Sequence, residues 1–188
     1  SEDHLTFDAM IDDLAGWINY VKSRNQFNKI YVIGHSEGSL ISIIALEKVK
    51  CDGFISIAGP GKKASAIIME QLKSNPNNPA EILNTSQSII NKLLKGKREE
   101  NVPPVLDVLF RKSVQPYLIS WFKYDPAVEI KKIDCPVLLI HGSQDIQVPI
   151  ENAEILSKAK RKSGLMKIEG MTHTLKIITR PEDQIKSY

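Results

Sequence analysis

The pentapeptide Gly34-His35-Ser36-Glu37-Gly38 combines residue types and spacing suited to covalent chemistry. A serine hydroxyl is a poor nucleophile at neutral pH and acts only beside a base that takes its proton. The stretch has the form G-x-S-x-G. A short apolar run, Lys29–Ile33, precedes it and reads as a strand, and a helical pattern starts just after Ser36. This strand–turn–helix setting is the one in which the motif exposes a nucleophile. The turn is tight enough to put the serine in strained backbone angles. Glycines two before and two after keep side chains out of the neighbouring strand and helix. The following helix aims its first N–H groups at the same place, so the Glu37 backbone N–H is the candidate donor to a developing oxyanion.

A base and an acid must then come from later in the chain, the acid first. The run Pro136–Ile140 reads as a strand and leads into His141-Gly142-Ser143-Gln144-Asp145. Asp145 falls just past the strand's carboxyl end, the edge where Ser36 also lies. Its role would be to hold a histidine in the correct tautomer. A lone loop aspartate is more commonly a cap, and Asp125 and Asp134 are rivals. One of these precedes a proline and the other precedes the strand, so neither follows a strand end. Of four histidines, His4 is in the lead-in, His35 is inside the turn and reads as a packing residue, and His141 ends a strand and orders the acid loop. His173 alone sits in a loop after the last strand, and it is the candidate general base.

The elements that must position these groups alternate. Thr6–Arg24 reads as an amphipathic helix, with Phe7, Met10, Ile11, Leu14, Trp17, Ile18 and Val21 recurring at three- and four-residue steps. Helix is again expected from Ser36 to about Val49, strand over Gly53–Ala58, helix from Ile150 to about Arg161 and strand over Leu165–Ile168. Pro136–Ile140 lacks alternation, as expected of a central parallel strand covered on both faces. The stretch from Lys62 to Tyr124 differs, with about four helical runs punctuated by proline and glycine. The fold class is therefore α/β, a mostly parallel sheet flanked by helices with a helical insertion. Residues 1–60 form the first part of the core domain, 61–124 a helical cap, and 125–188 the second part. Trp121, Phe122, Leu109 and Phe110 could line a pocket, but their helical spacing fits ordinary packing.

Composition narrows the classes. A net charge of +3 with both signs interspersed, and basic clusters no longer than Lys158/Lys160/Arg161/Lys162, give no nucleic-acid surface. Cys51 and Cys135 lack metal-ligand spacing and read as reduced structural thiols. No apolar stretch approaches a membrane span. A soluble, cytoplasmic protein is expected, although an export signal could precede a chain whose start looks incomplete. No metal or organic cofactor is called for, and oligomeric state is not readable.

The chain resembles the α/β-hydrolase superfamily, and within it capped bacterial carboxylesterases related to the serine aminopeptidase-like hydrolases. The resemblance runs nearly end to end, on GHSEG (34–38), SIAGPGK (56–62), VQPYLISWFKYDPAVEIKKIDCPVLLIHGSQDIQVP (114–149) and IEGMTHTLK (168–176). It implies a Ser36–His173–Asp145 triad, hydrolysis of small-molecule esters with short- to medium-chain acyl groups, and an insertion that caps the acyl pocket. Amidase, thioesterase or aminopeptidase chemistry would use the same triad, and a non-catalytic binding module could keep the fold. Superfamily members have several strands before the nucleophile strand, whereas one helix precedes it here. The N-terminal strands thus look missing, and with them a second oxyanion donor, whose loss typically costs about 10²–10³ in kcat. Weak turnover is expected of the chain alone if that segment is absent.

Overall fold

The computed structural model describes residues 2–180 and 183. Along the chain run α1 (Phe7–Ser23), β1 (Tyr31–His35), α2 (Glu37–Lys48), β2 (Gly53–Ile57), α3 (Ala64–Ser74), α4 (Ala80–Leu93), α5 (Asp107–Phe110), α6 (Gln115–Trp121), α7 (Pro126–Glu129), β3 (Val137–Gly142), α8 (Glu151–Ala159) and β4 (Gly164–Ile168). They fall into two compact units. One comprises Ile11–Lys62 with Asp125 onward, the other Lys63–Tyr124 with the residues up to Met10. None of the described helices is long and apolar enough to cross a membrane.

The first unit is built on a sheet in the order β1-β2-β3-β4, every neighbouring pair parallel. The register pairs His35 with Ile57, Ile57 with Ile140 and Gly142 with Ile168, so all four strands leave the sheet along one edge. Phe54, Val137 and Leu139 from the strands meet Ile18, Ile43, Leu46 and Leu156 from the helices in its core. Burying each such side chain contributes about 1.5–3 kcal/mol. No residue of β3 is exposed, as its unbroken apolar run predicts. β1 ends the sheet among the described residues, and Tyr31 and Ile33 on it are more than half exposed.

On α1 the apolar stripe is narrower than its periodicity suggests. Phe7, Ile11 and Ile18 are buried, whereas Trp17 is 65% exposed and stands edge-on to exposed Tyr20, ring centroids 5.8 Å apart. Spacing alone had put Trp17 on the buried face, and its indole instead packs along the surface.

Two small features lock the first unit. The hydroxyls of buried Ser39 and Ser56 lie 2.7 Å apart, and a Cβ on Gly59 would fall 2.4 Å and 2.3 Å from those same oxygens. Asn152, at the start of α8, accepts hydrogen bonds from the Gly61 and Lys62 amides (3.0 and 3.2 Å) and donates to the Pro149 carbonyl (2.9 Å).

The helical unit has its own core of Ile89, Ile90, Leu93, Leu106, Phe110, Leu118 and Phe122. Phe110 and Phe122 are therefore packing residues, while Leu109 is partly exposed. Phe7 stacks on Trp121, centroids 5.7 Å apart, and its amide donates to Ser120 Oγ at 2.7 Å. Buried Gln115 uses its whole amide: Oε1 accepts from the Glu99 amide, and Nε2 donates to the carbonyls of Glu99 and Phe110.

Replacing Asn152 by Ala would leave the Gly61 and Lys62 amides without the side-chain oxygen they donate to. Urea unfolding should show a loss of about 1–3 kcal/mol.

Candidate functional site

β1 delivers Ser36 to the exit edge of the sheet. Ser36 has φ 55° and ψ −125°, a strained conformation for a residue with a Cβ. The strain is held from both sides. The Ser36 amide donates to the Ile57 carbonyl of β2 at 2.9 Å, and its carbonyl accepts from the Ser39 amide at 2.9 Å in the first turn of α2. Gly34 is required here, since a Cβ would lie 2.5 Å from the Gly38 oxygen and 2.6 Å from Ser39 Cα. The expectation for Gly38 does not hold among the described residues, because a Cβ there meets no atom within 4 Å. Glu37 opens α2 directly after the serine.

Asp145 lies in the loop after β3 and is buried. Its Oδ1 accepts from the amides of Gln147 (3.0 Å) and Val148 (2.8 Å), which leaves Oδ2 facing His173. His141, the fifth residue of β3, donates from Nε2 to the Val148 carbonyl at 2.7 Å and so closes this loop from beneath. Burial pushes the His141 imidazole below its ordinary 6.5, although the Val148 carbonyl and the nearby Asp145 pull the other way.

His173 sits in a tight turn closed by the Thr172 amide donating to the Lys176 carbonyl at 2.9 Å. That turn is sewn to the acid loop. The Ser143 amide donates to the Ile168 carbonyl and the Gln144 amide to the Met171 carbonyl, both at 3.0 Å, while Ser143 Oγ accepts from the Gly170 amide at 2.9 Å. Gly142 permits the approach, for a Cβ would stand 2.0 Å from the Met171 oxygen.

The structure brings together the three side chains singled out in the sequence. His173 Nδ1 is 2.8 Å from Asp145 Oδ2, and His173 Nε2 is 2.9 Å from Ser36 Oγ. A carboxylate at Nδ1 fixes the proton on that nitrogen, so Nε2 is the acceptor for the serine O–H. Such a row can draw the proton from a hydroxyl attacking a carbonyl. Asp125 is instead the cap of α7, accepting from the Ala127 amide at 3.1 Å, and Asp134 precedes β3. His4 lies exposed in an N-terminal 3₁₀ turn. His35 does more than pack: its Nε2 donates to the His173 carbonyl at 2.9 Å, with ring centroids 4.9 Å apart. Its place beside Ser36 was the only signal of that contact in the sequence.

No protein-family model matches the chain. Esterase EstD of Thermotoga maritima is 30% identical over 149 residues, which cover 79% of this chain and 35% of the relative. The chain thus spans about a third of that protein's length. Among solved structures, Est1E from Butyrivibrio proteoclasticus is 26% identical with a TM-score of 0.62, over 91% of this chain and 63% of that one. The monoacylglycerol lipase of Paleococcus ferrophilus, 21% identical, aligns with a TM-score of 0.55 over 97% and 72%. The chain has the α/β-hydrolase fold. Its kinship with esterases of that fold rests on EstD and Est1E. Seen as a hydrolase fold, β1 with its turn and the loops after β3 and β4 form one continuous exit edge.

Two outcomes follow for the hydrolase fold. In Gly142→Ala the new methyl must push the Met171 carbonyl away, so the low-field proton resonance of His173 Nδ1–H should vanish and the urea midpoint should fall. His141 gives a pH dependence. Its folded pKa lies below 6.5, so as the pH drops past that value the unfolded chain binds a proton more readily than the folded chain, and acidification lowers stability. Urea midpoints measured at about pH 7.5 and 5.5 should diverge less in His141→Asn than in the parent.

Proposed function

We propose that the chain carries the catalytic apparatus of a carboxylic ester hydrolase. The observation that carries this reading is the row Ser36 Oγ–His173 Nε2 and His173 Nδ1–Asp145 Oδ2, at 2.9 and 2.8 Å, on the exit edge of a hydrolase-fold sheet. The kinship with esterases supports ester chemistry over other acyl transfers.

Ser36 attacks the ester carbonyl while His173 takes its proton. The tetrahedral oxyanion is stabilised at the start of α2, with the Glu37 amide as a donor. His173 then returns the proton to the leaving alcohol, which departs and leaves an acyl-serine. Water attacks that ester with His173 again as the base, releasing the acid and restoring the serine. Asp145 stays ionised throughout and stabilises the imidazolium. The anchoring of Oδ1 by two backbone amides keeps Oδ2 aimed at Nδ1 in both protonation states.

The substrates proposed are small esters with short- to medium-chain acyl groups, and the helical segment 61–124 is proposed to set the acyl preference. Nitrophenyl esters of increasing chain length would test this, with butyrate cleaved faster than palmitate.

A fluorophosphonate probe should label the protein at Ser36, and Ser36→Ala should abolish both labelling and ester cleavage. Labelling that persists in Ser36→Ala would overturn the assignment. His173→Ala should lower kcat by about 10⁴ or more while leaving KM nearly unchanged.

A further inference from the structure

At the end of the sheet away from Ser36, just ahead of β2 and β3, Cys51 and Cys135 approach each other. Their Sγ atoms are 3.5 Å apart, and Cys51 Sγ also lies 3.3 Å from the Gly53 carbonyl. Both are free, half-buried thiols packed at the margin of the core. They are reachable, because they line a cavity of about 310 Å³ with Lys50, Lys132, Asp134 and Pro136. The segments that carry them are fixed side by side, with the Phe54 amide donating to the Pro136 carbonyl at 2.9 Å. A disulfide needs its sulfurs at about 2.05 Å, so a closure of roughly 1.5 Å is required.

We propose that Cys51 and Cys135 form a redox modification site, a dithiol that peroxide converts to an intramolecular disulfide. One of the two sulfurs attacks a peroxide oxygen, the O–O bond breaks, and water leaves once protons are taken up, giving a sulfenic acid. The other thiol then attacks that sulfur, forming the S–S bond and releasing a second water. Each thiol gives up its hydrogen, and one hydrogen peroxide is reduced to two waters. Burial, and then the hydrogen bond with Cys51, push the Cys135 thiol up to about 12.

The bond would close a loop between positions 84 residues apart, with the whole segment Lys63–Tyr124 inside it. Loops of this length restrict the unfolded chain strongly, so the oxidised form is the more stable. No atom of the Ser36–His173–Asp145 row takes part, so the site is independent of the proposed hydrolysis.

The test treats the reduced, purified protein with hydrogen peroxide and reads intact mass, a non-reducing peptide map and the thermal midpoint. The expected result is the loss of two hydrogens, a Cys51–Cys135 peptide pair, and a midpoint raised by on the order of 10 °C that a thiol reductant reverses. Cys51→Ala and Cys135→Ala should each lose all three changes. If either variant does not fold, alkylating the native reduced thiols with N-ethylmaleimide should block the changes just as completely. Three results would overturn the proposal: oxygen adducts on either cysteine without a cross-link, disulfide-linked dimers in place of the internal bond, or a midpoint shift that survives alkylation.

Discussion

Because the four strands run parallel with their ends in register, every connection that leaves a strand's carboxyl end starts from one edge of the sheet. The hydrogen-bonded row depends on this constraint. Ser36 follows β1, Asp145 follows β3 and His173 follows β4, so residues far apart in the chain begin their loops as near neighbours. Backbone bonds between the last two loops then bring the distance down to contact range. Ser143 and Gln144 reach the carbonyls of Ile168 and Met171, and the absence of a side chain at Gly142 allows the approach.

Within that frame each group is oriented by one behind it. The two backbone amides on Asp145 Oδ1 fix the plane of the carboxylate, and His141 braces the loop that carries it. Asp145 in turn fixes the tautomer of His173, while the His35 imidazole ties the His173 carbonyl back to the serine turn. Ser36 keeps its strained angles because both its backbone polar groups are bonded in that conformation. The precision of the row thus comes from backbone bonding around it more than from the three side chains themselves.

Much of this was legible in the sequence because it depends on local rules. Apolar runs ending in glycine marked the strands, and the order of a serine, an aspartate and a histidine after strand ends singled out three residues. What could not be read depends on direction in space. Periodicity placed Trp17 on a buried stripe, but it does not fix where the stripe ends, and the indole lies outside. The G-x-S-x-G pattern treats its two glycines alike, yet only Gly34 is pressed by backbone among the described residues. Asn152 lies in a run that reads only as helix, and its bonds to the distant Gly61 and Lys62 amides have no signature in spacing. The contact between Cys51 and Cys135 was hidden for the same reason, since it arises from strand pairing across an inserted helical unit.

The buried hydroxyl pair of Ser39 and Ser56 under Gly59 bears on how such a sequence can drift. The space at these three positions is shared, so none can enlarge alone. A methyl at 59 demands that both hydroxyls withdraw, and a larger residue at 39 or 56 strands the other hydroxyl without a partner. Evolution should therefore treat the three as one unit, and relatives that depart from serine at one of them should carry compensating changes at the others.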